Sequence, residues 1–320
     1  MHCDIISNLY HLKKGDKDYS LFKNNCSIDL KKMKEGNYLL QNFAIFVDLK
    51  ETDNPFKTCN EMIDLFDNEI KKNSDLIKQV KSYQDIDANK LNALLTIEEG
   101  SVVNNDLNNL DYFYKRGVRM ITLTWNYKNG IGYPNLNPPF NSFEDLKRIN
   151  DKDGLTPFGI EYIKRMEDLG IIIDVSHLGD AGFYDVYNNT TKPFVASHSN
   201  ARSVCNVARN LTDDMIIKLA NRGGVMGINF CGDFLVETKE GDAKSCIKDM
   251  IKHINYITNL VGVDYVGLGS DYDGIDSELE MPDCSQIGKL KKALQDEGYS
   301  NSDIDKILYK NVLRVYKAVL

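Results

Sequence analysis

Long apolar runs and an excess of basic residues are both missing from this chain of 320 residues. No apolar run approaches the roughly 18 residues of a membrane span, which argues against an integral membrane protein. The formal net charge is −8, which argues against binding to a phosphate backbone, because nucleic-acid proteins usually carry a basic surface. The sequence therefore predicts that neither a membrane nor a nucleic acid is a partner.

Signals for cysteine pairing and for export are also missing. The seven cysteines are scattered over positions 3, 26, 59, 205, 231, 246 and 284, with no CxxC pair among them. Residues 1–14 show no basic region followed by an apolar one, as a signal peptide would. Unpaired thiols are typical of a reducing compartment, so we expect a cytoplasmic protein.

The order of apolar segments indicates the fold. Hydrophobic residues make up 42% of the chain and charged residues 27%, as in ordinary globular proteins. Short apolar runs alternate with longer amphipathic ones, a pattern typical of a parallel α/β fold. Strands are predicted at 1–6, 42–49, 92–98, 119–124, 170–176, 193–197, 224–230 and 264–270, and helices at 60–83, 106–116, 157–169, 179–187, 212–222 and 244–261.

Eight strands in this order predict a single (β/α)₈ TIM-like barrel domain over residues 1–320, although an open doubly wound sheet has the same periodicity. The segment 127–152 is long and rich in Asn and Pro, and is interpreted as an active-site loop.

Histidine is scarce, and its placement is informative. The chain has five histidines, at positions 2, 11, 177, 198 and 253. Three of them, His2, His177 and His198, belong to the ends of predicted strands, where a barrel enzyme keeps its catalytic groups. Acidic residues end other strands: Asp4 on the first, Glu98 and Glu99 on the third, and Asp271 and Asp273 on the eighth.

Imidazole and carboxylate groups in this arrangement are typical ligands of zinc. Each residue alone has an ordinary explanation, since a His-x-Asp pair arises by chance and a strand-end histidine is often structural. Five such ligands are too many for one catalytic zinc, which keeps about three protein ligands and a water. Two metal ions sharing one carboxylate would use all five and would acidify a bridging water. Either Asp271 or Asp273 could then carry protons.

Eight motifs resemble the membrane (renal) dipeptidase family. They run in order along nearly the whole chain: His-x-Asp at 2–4, LTIEEG at 95–100, ITLT at 121–124, GLTPFG at 154–159, IDVSH at 173–177, SHS at 197–199, ARN at 208–210 and GLGSDYDG at 267–274. The resemblance continues to NVLRV at 311–315.

The resemblance implies a distorted (β/α)₈ barrel with a binuclear zinc site that hydrolyses dipeptides, commonly with a D-residue at the C-terminal position. Carried over by motif, His2 and Asp4 would hold one Zn²⁺, His177 and His198 the other, and Glu98 rather than Glu99 would bridge them. In the same way, Asp271 would be the proton carrier, and Arg209 would bind the carboxylate of the substrate.

Three positions depart from the family pattern. Trp125 stands where animal members have a histidine thought to polarise the substrate carbonyl, so Trp125 is expected at the substrate-binding site. Cys231 replaces an expected tyrosine. His2 follows only Met1 where relatives have several apolar residues, so we expect either a translation start placed late or a truncated first strand. None of these changes removes a metal ligand.

The leading hypothesis is a zinc dipeptidase that acts through a metal-bridging hydroxide on small dipeptides. A related amidohydrolase acting on a non-peptide amide or a lactone is a second hypothesis, because the barrel and the metals do not define the acyl group. A degenerate, non-catalytic barrel is a third. A homodimer is left open.

Overall fold

A curled, parallel sheet organises the protein. The computed structural model describes residues 1–14, 19–136, 138–140, 142–238 and 243–320, excluding the side chains of residues 13 and 14. The strands are β1 (Leu40–Phe46), β2 (Ile77–Gln79), β3 (Leu91–Glu98), β4 (Val118–Thr122), β5 (Ile172–Asp174), β6 (Val195–Ala196), β7 (Val225–Ile228) and β8 (Val266–Leu268). Their order in the sheet is β1-β3-β4-β5-β6-β7-β8, and β2 pairs with the beginning of β3.

The segment around Cys3 joins the two ends of this sheet. Cys3 forms a parallel bridge with Tyr272, which follows β8, and the amide of Asp4 donates to the carbonyl of Tyr272 at 3.0 Å. On the other side, the amide of Ala44 in β1 donates to the carbonyl of Cys3 at 3.0 Å. The Cys3 segment therefore takes the eighth place in the ring, and the predicted distorted TIM-like barrel is confirmed.

Helices surround the sheet in the order expected for a barrel. The α-helices span Ile5–Lys14, Leu30–Glu35, Pro55–Lys72, Leu107–Arg116, Pro157–Leu169, Asp180–Asn189, Asp213–Asn221, Gly232–Leu235, Ile247–Val261, Gly288–Asp296, Asn301–Asp305 and Asn311–Val319, with a π-helical turn at Lys306–Lys310. Within the described ranges, no helix combines the length and apolarity needed to cross a membrane.

The last helix closes the bottom of the barrel. Inward-facing residues of five strands form one buried cluster with Val312, Val315 and Tyr316 of this helix: Leu94, Met120, Ile172, Val195 and Val225. The hydroxyl of Tyr316 donates to Asn42 Oδ1 at 2.5 Å, so the buried polar groups satisfy each other. This cluster packs the N-terminal end of the barrel, and in barrels of this kind the functional groups lie at the C-terminal ends of the strands.

Several predicted strands are shorter in the structure, and at one of them a side chain replaces the backbone ladder. The strand predicted at 170–176 ends at Asp174, whose Oδ1 accepts from the amides of Ser176 at 3.0 Å and Ser197 at 2.8 Å. The strand predicted at 1–6 is wrong beyond Cys3, because the chain enters a helix at Ile5.

The helix predicted at 60–83 is also wrong in its bounds. It begins at Pro55, where Asn54 caps the first turn by accepting from the amide of Lys57, and it ends at Lys72. The remainder contains β2, whose backbone groups are satisfied by pairing with β3. The loop at 127–152 contains a 3₁₀ turn at Phe143–Lys147, and its residues 137 and 141 lie outside the described part of the chain.

Candidate active site

Side chains from several strand ends converge at the open end of the barrel. His2 and Asp4 flank the Cys3 bridge, Glu98 is the last residue of β3, and His177, His198 and Asp271 follow β5, β6 and β8. All six are at most 8% exposed. Three overlapping groups of possible ligand atoms lie within 4.8 Å of one another: His2, Asp4 and Glu98; Glu98, His177 and His198; and His2, His198 and Asp271.

The first group surrounds the imidazole of His2. Its Nε2 lies 3.2 Å from Asp4 Oδ2 and 3.2 Å from Glu98 Oε2. Neither contact has the geometry of a hydrogen bond, and both ring nitrogens of His2 and the Oδ1 of Asp4 are buried without a hydrogen-bond partner. Unsatisfied buried polar atoms are costly, and a bound cation would satisfy the lone pair of His2 Nε2 and a carboxylate oxygen of Asp4.

The second group contains three acceptor atoms that face one another. His177 Nε2 lies 3.0 Å from Glu98 Oε1 and 3.1 Å from His198 Nε2, and His198 Nε2 lies 3.5 Å from Glu98 Oε1. A mutual approach of lone pairs is unfavourable without a proton or a cation between them. The arrangement therefore fits a metal ion at this point.

Hydrogen bonds behind the two histidines leave these lone pairs free. The single hydroxyl proton of Ser197 goes to Asp174 Oδ2 at 2.5 Å, so His198 Nδ1 must be the donor in its 2.7 Å contact with Ser197 Oγ. Asn126 Oδ1 lies 3.0 Å from His177 Nδ1 and accepts from it in the same way. Partners of this kind hold the tautomer and ring orientation of metal-binding histidines.

Sequence reasoning missed Asn126, Ser197 and Asp174. The available signal was Asp174, an acidic residue that interrupts the apolar run before His177.

Glu98 connects the two groups because its carboxylate oxygens point in different directions. Oε2 faces His2, whereas Oε1 faces His177 and His198. Burial opposes its charge, yet the neighbouring imidazoles hold the pKa of Glu98 well below its ordinary value. Burial likewise opposes the charged form of His2, but the carboxylates of Glu98 and Asp4 raise the pKa of His2.

Burial dominates at the other members of the cluster. It raises the pKa of Asp4 to about 7 and lowers the pKa of His177 to about 4. It also lowers the pKa of His198, which the positive charges of His2 and Arg209 reduce further. A neutral His177 and a neutral His198 are the forms that bind metal ions.

Glu99 has a different environment from Glu98. Its backbone has a left-handed φ of 89°, and its side chain turns away from the cluster. Oε1 accepts from the amide of Ser101 at 3.0 Å and from the side chain of Asn129 at 2.5 Å, and Oε2 accepts from the amide of Trp125 at 3.1 Å. Glu99 therefore stabilises the loop that carries Trp125.

Asp271 and Asp273 are also separated by the structure. Asp271 accepts from Asn229 Nδ2 at 2.8 Å through Oδ2, while its Oδ1 lies 3.8 Å from His2 Nε2. Its φ of 61° is rare outside glycine, and burial raises its pKa. Asp273 points elsewhere, because its carboxylate accepts from the amides of Ser27 and Ile28 at 2.6 and 3.1 Å.

Arg209 is buried beside the cluster. Its Nη1 donates to Ser199 Oγ at 3.0 Å, while Nε and Nη2 have no hydrogen-bond partner among the described residues. Burial lowers its pKa, and the carboxylates of Asp271 and Glu98 oppose this effect. A guanidinium with free donors in a buried position is suited to binding an incoming carboxylate.

Trp125 is half-buried at the end of β4. Its ring centroid lies 6.4 Å from that of His177 and 4.8 Å from that of Phe46, the last residue of β1. The structure therefore places every residue that the sequence predicted for the site, including Trp125 and Arg209, around the same end of the barrel.

Comparisons with known proteins agree with this arrangement. The whole chain, residues 1–320, matches the family described as membrane dipeptidase, peptidase family M19. An uncharacterized dipeptidase of Schizosaccharomyces pombe is 31% identical over 306 residues, which are 90% of this chain and 71% of that protein.

Two solved structures share the fold. The metallopeptidase called dipeptidase AC, of the same family, has a TM-score of 0.89 at 23% identity, over 99% of this chain and 97% of its own. A metallopeptidase from Rhodobacter sphaeroides, liganded with a phosphinate mimic of the dipeptide L-Ala-D-Ala, has a TM-score of 0.87 at 21% identity, over 100% of this chain and 98% of its own. The resemblance seen in the sequence is confirmed: the chain belongs to the membrane dipeptidase family, whose members are metallopeptidases, and is a hydrolase acting on peptide bonds.

Proposed function

We propose that this protein is a zinc-dependent dipeptidase that hydrolyses the peptide bond of small dipeptides with two Zn²⁺ ions. His2 and Asp4 hold one ion, His177 and His198 hold the other, and Glu98 bridges them. The proposal rests on the carboxylate of Glu98, whose two oxygens face different histidines: Oε2 lies 3.2 Å from His2 Nε2, and Oε1 lies 3.0 Å from His177 Nε2. A donor set of imidazoles and carboxylates is typical of zinc.

When bound, the ions supply Lewis acidity, which polarises the substrate carbonyl and lowers the pKa of a water. Arg209 grips the free carboxylate of the dipeptide through its unused Nε and Nη2 donors. This contact favours the last peptide bond of a substrate over an internal bond of a longer chain, because only the last bond lies one residue from a free C-terminal carboxylate.

Asp271 moves the proton. Asn229 holds Oδ2, so Oδ1 is the oxygen left to face the reaction centre. It takes a proton from the attacking water and delivers it to the leaving nitrogen as the C–N bond breaks. The three histidines of the cluster hold metal in this proposal and are not free to donate.

The stereochemistry of the substrate is part of the proposal. The Rhodobacter sphaeroides structure holds a mimic of L-Ala-D-Ala. We extend this to the present chain and expect a D-residue to be tolerated at the C-terminal position. We also keep the cytoplasm as the proposed location, since all seven cysteines are unpaired. A homodimer stays a prediction that sedimentation equilibrium of the purified protein can test.

The proposal is tested on purified protein that has been stripped with a chelator and then reconstituted with Zn²⁺. We expect elemental analysis to give two ions per chain and a ninhydrin assay to detect release of amino acids from L,L and L,D dipeptides. Trace metal after reconstitution would refute the metal assignment. Full metal loading without turnover of any dipeptide would refute the activity.

A further inference from the structure

An aromatic surface borders the candidate site on the side of β1 and β4. It consists of Phe46, Trp125 and Tyr127, which we call the aromatic wall. The rings of Phe46 and Trp125 are 4.8 Å apart and those of Trp125 and Tyr127 are 5.3 Å apart, with edge-to-face geometry in both pairs. All three side chains are half-buried, so their rings are partly open to solvent at the mouth of the barrel.

The aromatic wall is held in a fixed position relative to the candidate metal ligands. The amide of Trp125 donates to the buried carboxylate of Glu99, the residue after Glu98. The next residue, Asn126, holds the ring of His177 at 3.0 Å. On the outer side, Lys50 Nζ lies 4.3 Å from the ring centroid of Tyr127. A surface fixed in this way loses little conformational freedom when an apolar group packs on it.

The order of strands separates the aromatic wall from Arg209 around the mouth of the barrel, with Phe46 on the opposite side. Arg209 is hydrogen-bonded to Ser199, just beyond β6. Around the ring, β6 is four strands from β1, which ends in Phe46, and two strands from β4, which precedes Trp125. With the C-terminal carboxylate of a dipeptide on Arg209 and its peptide bond over Glu98, the N-terminal residue would extend toward β1, where Phe46 and the aromatic wall lie.

We propose that the aromatic wall is a specificity site that selects dipeptides with a bulky apolar or aromatic N-terminal residue. This inference rests on the proposed dipeptidase activity and deepens it. The wall offers ring faces and edges, which favour packing of apolar groups. A small N-terminal residue such as glycine leaves the rings uncovered.

The test compares three substrates that share a C-terminal residue, Gly-Ala, Leu-Ala and Phe-Ala. We expect kcat/KM of the zinc-loaded enzyme to be at least about tenfold higher for Leu-Ala and Phe-Ala than for Gly-Ala, the discrimination that a hydrophobic pocket gives. In Trp125→Ala this ratio should fall toward one, with zinc content unchanged. Varying the C-terminal residue across Ala-Gly and Ala-Leu should give ratios that do not differ between wild type and variant.

A second substitution and a matched control guard against misfolding. Trp125→His keeps a ring but removes most of the apolar surface, and should also lower the ratio. Tyr112→Ala removes an aromatic residue that is 38% exposed on the outer helix Leu107–Arg116, and should leave all rates unchanged.

Equal losses for all three substrates in both Trp125 variants would show a structural role and overturn the inference, as would a wild-type ratio near one. Turnover of Gly-Ala by the wild type tests the activity separately. Absence of turnover on all dipeptides would refute the activity and the specificity site together.

Discussion

Glu98 and Glu99 are adjacent carboxylates whose replacement by glutamine should have different consequences. In Glu98→Gln the side chain loses its charge and offers only one carbonyl oxygen to two groups of ligands. The amide nitrogen must then face either His2 or the pair of His177 and His198. Loss of a residue that only hydrogen-bonds to a metal ligand lowers metal affinity by up to about 100-fold. Glu98 is itself a proposed ligand of both ions, so we expect the affinity for each to fall by more than about 100-fold.

In Glu99→Gln we expect a loss of stability with metal binding retained. The amide oxygen can keep the two donors on Oε1, from Ser101 and Asn129. The amide nitrogen then lies against the amide of Trp125, which is 3.1 Å from Oε2 in the native protein. The buried amide of Trp125 and the new side-chain NH2 are then both left without an acceptor, and the free energy of unfolding should fall by at least about 1–3 kcal/mol.

The two variants are compared by elemental analysis after zinc reconstitution and by urea unfolding of the metal-free proteins. Loss of metal is expected for Glu98→Gln, whereas Glu99→Gln is expected to keep its metal and to lose unfolding free energy. If both variants lost metal equally, the assignment of Glu98 as the bridging residue would be refuted. If Glu99→Gln unfolded like the wild type, the reasoning from its three hydrogen bonds would fail.

Three further predictions concern single residues. Asp271→Asn should keep its zinc while kcat falls by at least about 100-fold, whereas Asp273→Asn should mainly lower the unfolding temperature. A normal kcat in Asp271→Asn would show that Asp271 does not transfer the proton. Arg209→Lys should raise KM for dipeptides without changing zinc content, because lysine cannot form two parallel hydrogen bonds to a carboxylate. Equal turnover of a dipeptide and of its C-terminal amide by the wild type would contradict this role. Burial lowers the pKa of His253 to about 4, so the contribution of the neutral ring to stability is present above about pH 6.5 and is lost as the pH falls toward 4, by up to about 3 kcal/mol. The free energies of urea unfolding of wild type and His253→Gln should therefore converge over this interval, and a constant difference between pH 7.5 and 4.5 would contradict the prediction.

The strand ends could be predicted from the sequence because of a simple periodic rule. A polar residue that follows a buried apolar run in a parallel sheet must lie at one edge, and this placed His177, His198 and Asp271 together. The choice between Asp271 and Asp273 was harder, since both have a left-handed backbone, with φ of 61° and 71°. Their tertiary contacts separate them, with Asn229 beside Asp271 and residues 27 and 28 beside Asp273.

Other features could not be predicted because they depend on partners that are distant in sequence. Asn126 is 51 residues from His177, and Asn229 is 42 residues from Asp271, so no local pattern links them. The same applies to β2, whose three residues form a strand only because β3 supplies an edge. The early entry into helix at Ile5 was missed because its apolar residues fit a strand and a helix equally well over so few positions.

The Cys3 bridge couples closure of the barrel to occupation of the candidate metal site. The backbone of Cys3 and Asp4 forms the seam between β1 and the chain after β8, through hydrogen bonds to Ala44 and Tyr272. The side chains on either side of Cys3 are His2 and Asp4, two of the proposed ligands. An ion that binds both side chains stabilises the state in which these hydrogen bonds are formed, because His2 and Asp4 are held together only in that state. Chelation should therefore accelerate hydrogen exchange at the amides of Asp4 and Ala44 more than at the centre of β3. In that case the bound metal stabilises the closed barrel in addition to its role in catalysis.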